Sequence, residues 1–286
     1  MKKTLLALLS ATLLLSTFSP AQAEDQRVLA IIDTAINSEK HPSVIYEACV
    51  TSVAGNMACP NGKDFMEGKG SALAPWPTNL NSGTYHGDYM VKAALVANPN
   101  VKILFVRYSD VTTLGNLYND PQTLMKAISW VSANAEKYSV DAVSISQGSI
   151  SSGNLARCSD TTMVNAISYL NTKNIPTFAA TGNDSSLTKI GFPSCVPGIT
   201  ATAALVSESV FEKASNRGPG VDLTAIGKTP VTKYNGYAID LYGTSAATVK
   251  SAATFVGKNT TTSFSEYLGS LSKAVVLGIS YPFGSR

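Results

Sequence analysis

The chain has 286 residues, 44% hydrophobic and 14% charged, with a formal net charge of +3. This composition belongs to a globular protein with a sizeable core and excludes a disordered or highly charged one. No Lys/Arg block stands ready to draw nucleic acid or an anionic membrane, so neither is an expected partner.

Residues 1–23 read as a cleaved signal peptide. Lys2-Lys3 form a basic start, Leu5 to Thr17 are mostly apolar, and Ala21-Gln22-Ala23 is a small-residue cleavage site. A membrane anchor is the rival reading, but the apolar run is short for a span, and no later stretch is long and apolar enough. Loss of Lys2 and Lys3 takes the net charge from +3 to +1 over residues 24–286, which are expected to form one monomeric domain. Its expected location is the periplasm or the outside of the cell. In that oxidising setting four cysteines imply disulfides. Three pairings are possible. The favoured set is Cys49–Cys59, which closes a short loop, with Cys158–Cys195. Zinc is disfavoured, because there is no CxxC pair and no histidine near the cysteines.

The first element is a strand, the continuous apolar run Arg27 to Ile32 of a buried parallel strand, with Asp33 at its carboxyl end. Residues 37–84 are loop-rich. From His86 to Ala97 the apolar positions fall at helical spacing. A strand at Lys102 to Val106 and an amphipathic helix at Pro121 to Lys137 follow. Further strands are expected at Ala142 to Ser146, Thr177 to Thr181, Ile199 to Ala203 and Val221 to Ala225. Helices are expected at Asp160 to Thr172, Ser245 to Val256 and Phe264 to Ser272. Strands alternating with helices predict an α/β fold, a mostly parallel sheet covered on both faces.

Such sheets gather functional groups at the carboxyl ends of their strands, where Asp33 falls. The chain has two histidines. His86 precedes Gly87 and a small-residue helix, so its ring would stand at a helix N-terminus. His41, beside Pro42 in a loop, reads as a solvated surface residue. Gly243-Thr244-Ser245 turns into a helix whose Ala246 and Ala247 permit close packing. A serine there can attack a carbonyl while its own N–H helps hold the developing oxyanion, although Ser is also a common helix cap. Asn183, at the end of Phe178-Ala179-Ala180-Thr181-Gly182-Asn183, offers a side-chain amide as a second oxyanion donor. Losing such a donor removes roughly 2.7–4 kcal/mol of transition-state stabilisation.

Together these segments resemble the subtilisin-like serine proteases, the subtilase family, over about residues 27–256. Asp33 matches the family's acid, His86 its His-Gly-Thr base, Asn183 its oxyanion amide and Ser245 its Gly-Thr-Ser-Met-Ala nucleophile. Ser144-Ile145-Ser146-Gln147-Gly148 is similar to the strand that walls the S1 pocket, and Gly191-Phe192-Pro193 to the segment at the pocket floor. Ser215-Asn216-Arg217-Gly218-Pro219, with Asp222, resembles the stretch before the nucleophile. The resemblance implies a three-layer fold, with residues 24–286 as the catalytic domain of a secreted serine endopeptidase. Protein or peptide substrates would lie extended against Ser146, Gln147 and Gly148, with Ala179, Ala180 and Gly191 completing the pocket. No cofactor or metal is expected, and structural calcium is not indicated. Asp184 at the rim would favour some basic P1 side chains.

Every motif departs from the family pattern. Ala35 replaces a glycine, Asp88 a small hydroxyl residue and Ala246 a methionine, Val249 stands where a proline is usual, and Thr181 interrupts Ala-Ala-Gly-Asn. Asp88 is expected to raise the pKa of His86 by favouring the imidazolium. Nine residues, 24–32, separate the expected cleavage site from Asp33, which leaves no room for the family's propeptide and implies a domain that folds unaided. Two other readings remain. An esterase of the α/β-hydrolase class would need a histidine after the serine, and none follows Ser245. A catalytically impaired subtilase fold could serve as a binding module or toxin component.

Overall fold

The computed structural model describes residues 27–51, 58–73, 86–111, 117–118, 120–232, 236–258, 263–276 and 279–285. The expected signal peptide and Tyr85 lie outside these residues. In chain order the elements begin with β1 (Val28–Asp33), β2 (Val44–Val50), β3 (Phe65–Glu67), α1 (His86–Ala97) and β4 (Lys102–Arg107). β5 (Asp110–Val111), β6 (Leu117–Tyr118), α2 (Pro121–Asn134), β7 (Val140–Ile145), α3 (Ser152–Leu155), α4 (Thr161–Thr172) and β8 (Thr177–Ala180) follow. Then come β9 (Ile199–Ser207), β10 (Val210–Phe211), β11 (Leu223–Ile226), β12 (Thr229–Thr232) and β13 (Ala238–Leu241). The last are α5 (Thr244–Gly257), α6 (Phe264–Ser270), β14 (Lys273–Val276) and β15 (Ile279–Pro282).

The main sheet runs β10-β9-β8-β7-β1-β4-β2-β3, with β11 also paired to β9. From β9 to β2 along this order every pairing is parallel, and antiparallel pairs appear only at the margins, β10 on β9 and β3 on β2. The α/β expectation therefore holds. The loop-rich reading of residues 37–84 is corrected, because β2 and β3 lie within it. Glu47 interrupts the apolar pattern of β2, yet it is buried, and its carboxylate accepts from the N–H groups of Gly70 (3.0 Å) and Ala72 (3.2 Å). A carboxylate satisfied from outside its own strand is compatible with burial, and nothing local signals it.

β1 is the central strand and is buried along its whole length. Its side chains alternate between two cores, as a period of two requires. Val28, Ala30 and Ile32 join α2 and α4 through Leu124, Ile128, Val131, Met163 and Ile167. Leu29 and Ile31 join α1 and α5 through Met90, Val91, Val249 and Ala252. Each fully buried Leu or Ile contributes about 1.5–3 kcal/mol. The same alternation assigns Asp33 to the α1/α5 side, and β1 lies where the strand order turns from β2 and β4 toward β7 and β8. Such a switch point opens a crevice at the carboxyl ends of the strands. Cys49–Cys59 ties the end of β2 to the loop before β3 (Cα–Cα 5.8 Å), and Cys158–Cys195 ties the turn after α3 to the 191–196 segment (5.4 Å). Both favoured pairings are present.

Candidate active site

Asp33 is fully buried at the end of β1. Its Oδ1 accepts from the Thr34 N–H (2.7 Å) and from His86 Nδ1 (2.7 Å). A carboxylate only accepts, so Nδ1 carries the ring proton and Nε2 presents its lone pair. His86 is the first residue of α1 and keeps about a quarter of its side chain open to solvent (24%). Burial pulls its pKa down, but the charge of Asp33 and its hydrogen bond outweigh that, and the pKa lies above the usual 6.5.

Close approach of α1 to β1 brings this pair together. The Gly87 N–H donates to Thr34 Oγ1 (2.9 Å). A Cβ at Gly87 would stand 2.7 Å from both Phe105 Cζ and the Thr34 carbonyl oxygen. Glycine is therefore required at this contact for its lack of a side chain.

Two sequence-based expectations are corrected nearby. His41 is buried, not solvated, with Nε2 2.6 Å from Asp88 Oδ1. Asp88 also accepts from the Asn37 N–H (3.1 Å) and is fully buried. Its carboxylate thus serves the 37–41 loop, and the rise in the His86 pKa comes from Asp33 instead. Partners 47 residues apart in the chain (His41 and Asp88) left no local signal of this pairing.

Ser245 is the second residue of α5, whose N-cap is Gly243 at φ +125°, a conformation suited to glycine. The Ser245 hydroxyl donates to the Ser146 carbonyl (2.8 Å), and the Ser146 hydroxyl donates to the Ser245 carbonyl (3.1 Å). Among the hydrogen bonds of the described residues none joins Ser245 to His86, although α1 and α5 pack side by side. Asn183 is exposed just beyond β8, and its Oδ1 accepts from the Thr244 N–H (3.0 Å) and hydroxyl (3.1 Å). With its oxygen held against the residue before Ser245, the amide directs its N–H₂ end elsewhere, and that end has no partner among the described residues.

The expected pocket residues converge from three segments. A Cβ on Gly148 would lie 2.6 Å from the Ala180 carbonyl oxygen, and one on Gly191 2.6 Å from the Ser149 nitrogen. Ser149 and Phe192 pair antiparallel, and the Gly191 N–H donates to the Thr181 carbonyl (2.8 Å). Gln147 and Gly148 line a small cleft with Tyr108, Leu124 and Phe192. The Ala179 methyl packs into the α2/α4 core. Asp184 turns one carboxylate oxygen toward Asn216 (2.8 Å). Sequence reasoning singled out the 215–219 stretch but gave Asn216 no role. Among the described residues no group of three or more His, Cys, Asp or Glu could hold a metal ion, and no helix is long and apolar enough to cross a membrane.

An Asp-bonded histidine and a helix-terminal serine lie on one face of a mostly parallel α/β sheet, the parts that a serine hydrolase needs. The chain belongs to the subtilase family, the serine peptidases of the Peptidase S8 group, whose family model matches residues 25–258. No curated protein matches the sequence. Among solved structures, a cold-adapted subtilisin-like serine proteinase is 19% identical with a TM-score of 0.62, covering 91% of this chain and 88% of its own. The prenylagaramide maturation protease PagA is 21% identical with a TM-score of 0.52, covering 80% and 74%. A protease from Pseudoalteromonas arctica is 18% identical with a TM-score of 0.57, covering 79% and 75%. At these identities the likeness is one of fold.

Proposed function

We propose that the chain is a secreted serine endopeptidase that uses Asp33, His86 and Ser245 as its catalytic triad. The 2.7 Å bond between His86 Nδ1 and Asp33 carries this reading, because it fixes the tautomer in which Nε2 can act as a base. On binding of an extended peptide, Ser245 leaves the Ser146 carbonyl and turns to His86. Its Oγ attacks the scissile carbonyl carbon as Nε2 takes the hydroxyl proton. His86 then delivers that proton to the leaving amine, and water hydrolyses the acyl-enzyme by the same route. Asp33 holds the imidazole and stabilises its cation. The Asn183 N–H₂ group and the Ser245 N–H receive the oxyanion.

The substrate adds a strand along Ser146, Gln147 and Gly148, in the manner of β-augmentation, with Ala180 and Gly191 bounding the P1 side chain. The signal-like pattern of residues 1–23 and the two disulfides support an oxidising compartment, periplasmic or extracellular. The enzyme works as a monomer without cofactor or membrane anchor. Fluorophosphonate labelling at pH 8 tests the assignment. Wild type is expected to label and Ser245→Ala to remain blank. A correctly folded wild type that does not label refutes the enzyme reading and leaves the binding-module alternative. Equal labelling of both refutes Ser245 as nucleophile.

A further inference from the structure

Asn216 lies 33 residues beyond Asn183 in the chain, is fully buried, and spends nearly all of its hydrogen-bonding capacity on the loop that carries Asn183. Its Oδ1 accepts from the N–H groups of Asp184 (3.0 Å) and Ser186 (2.9 Å). Its Nδ2 donates to the Thr181 carbonyl (2.9 Å) and to Asp184 Oδ2 (2.8 Å). Its own N–H donates to the Gly182 carbonyl (2.8 Å), and its carbonyl accepts from the Thr181 hydroxyl (2.9 Å). Both flanks of Asn183 are therefore bonded to one residue. A second feature fits the same purpose: Gly182 sits at φ +103°, and a Cβ there would lie 2.4 Å from Asn216 Nδ2. Glycine makes room for the amide. Thr181, a departure from the family pattern, takes part in two of these bonds, one through its carbonyl and one through the hydroxyl that sets it apart from alanine.

The geometry points to Asn216 as the positioning residue of the oxyanion hole: it holds the 181–186 loop so that Asn183, anchored by Thr244 on its other side, aims its amide at the developing charge. This rests on the proposed role of Asn183. A buried amide with both donors and both acceptor sites used fixes a loop in one conformation, whereas an exposed glycine-containing turn by itself does not. Asn216 touches no substrate. It acts on rate through Asn183, because oxyanion stabilisation depends on where the donor stands relative to the transition state.

The test is a double-mutant cycle on peptide hydrolysis by the full chain, with kcat and KM measured for Asn216→Ala, Asn183→Ala and the pair. Asn183→Ala is expected to lower kcat about 10²–10³-fold. Asn216→Ala is expected to lower kcat about 10–100-fold, the range for a misplaced catalytic group, with KM changed less than about threefold. The double variant should be no slower than Asn183→Ala alone. Thr181→Val, which removes one bond to Asn216 at nearly constant shape, gives the same pattern at several-fold size and serves if Asn216→Ala does not fold. Losses that multiply in the double variant, or an unchanged kcat in the folded single variant, overturn the role of Asn216. If Asn183→Ala keeps wild-type kcat, the oxyanion reading itself fails, whatever Asn216 does.

Discussion

Lys250 lies in α5, five residues beyond Ser245, and is only 2% exposed. Its ammonium donates to the carbonyls of Ile226 (3.1 Å) and Lys228 (3.4 Å). Burial lowers its pKa from 10.5 to about 8. A base with a depressed pKa binds fewer protons in the native state than in the unfolded chain between pH 8 and 10.5, so its effect on stability becomes more favourable as pH rises through that window. Below pH 8 both states are protonated and the native state bears the full burial penalty, about 3 kcal/mol for this shift. Above pH 10.5 both are neutral and the penalty is gone. Lys250→Met keeps the unbranched shape and removes the charge, while the two carbonyls lose their donor at about 1 kcal/mol each. The variant should be about 1 kcal/mol more stable than wild type at pH 7 and about 2 kcal/mol less stable at pH 10.5, where the neutral amine still donates. Urea unfolding of both proteins across this range, in a Ser245→Ala background to prevent autolysis, measures the difference. A stability difference that does not change with pH, or that moves toward the variant as pH rises, refutes the assignment.

Three further outcomes are expected. Asp33→Asn removes both effects that raise the His86 pKa and leaves burial, so the acid limb of kcat/KM should move from above pH 6.5 in wild type to below it. Its kcat should fall about 10⁴-fold, and a limb that stays or moves upward in a pH–rate profile contradicts the Asp33–His86 coupling. Gly87→Ala sets a methyl 2.7 Å from the Thr34 carbonyl oxygen and should destabilise by about 1–3 kcal/mol while loosening the His86–Asp33 bond, so a wild-type melting curve would exclude the close contact. Opening Cys158–Cys195 (separation 37) should destabilise by about 4 kcal/mol and opening Cys49–Cys59 (separation 10) by about 3, if loop entropy governs. Thermal melts of the two paired Cys→Ser variants test that ranking.

The sequence alone determined the elements that are locally continuous. The apolar run ending in Asp33, the helix opening at His86, the strand leading to Asn183 and the glycine turn into Ser245 all lie where their patterns place them. Each is encoded by neighbours within a few residues, through a period of two or 3.6 or a glycine that admits a positive φ. Strand β2 escaped because Glu47 breaks its apolar pattern, and the groups that satisfy Glu47 arrive from residues 70 and 72. His41 was misplaced because its partner Asp88 stands on another element.

Tertiary structure alone decided which groups meet. Pleat alternation assigns Asp33 to the α1/α5 face, but the 2.7 Å bond to His86 exists because Gly87 lets two backbones touch. The grip of Asn216 on the Asn183 loop depends on a fold that returns the chain to the same crevice 33 residues later. Hydrogen bonds reach about 3 Å and are directional, so a sequence can supply a donor and an acceptor, and packing alone brings them within reach.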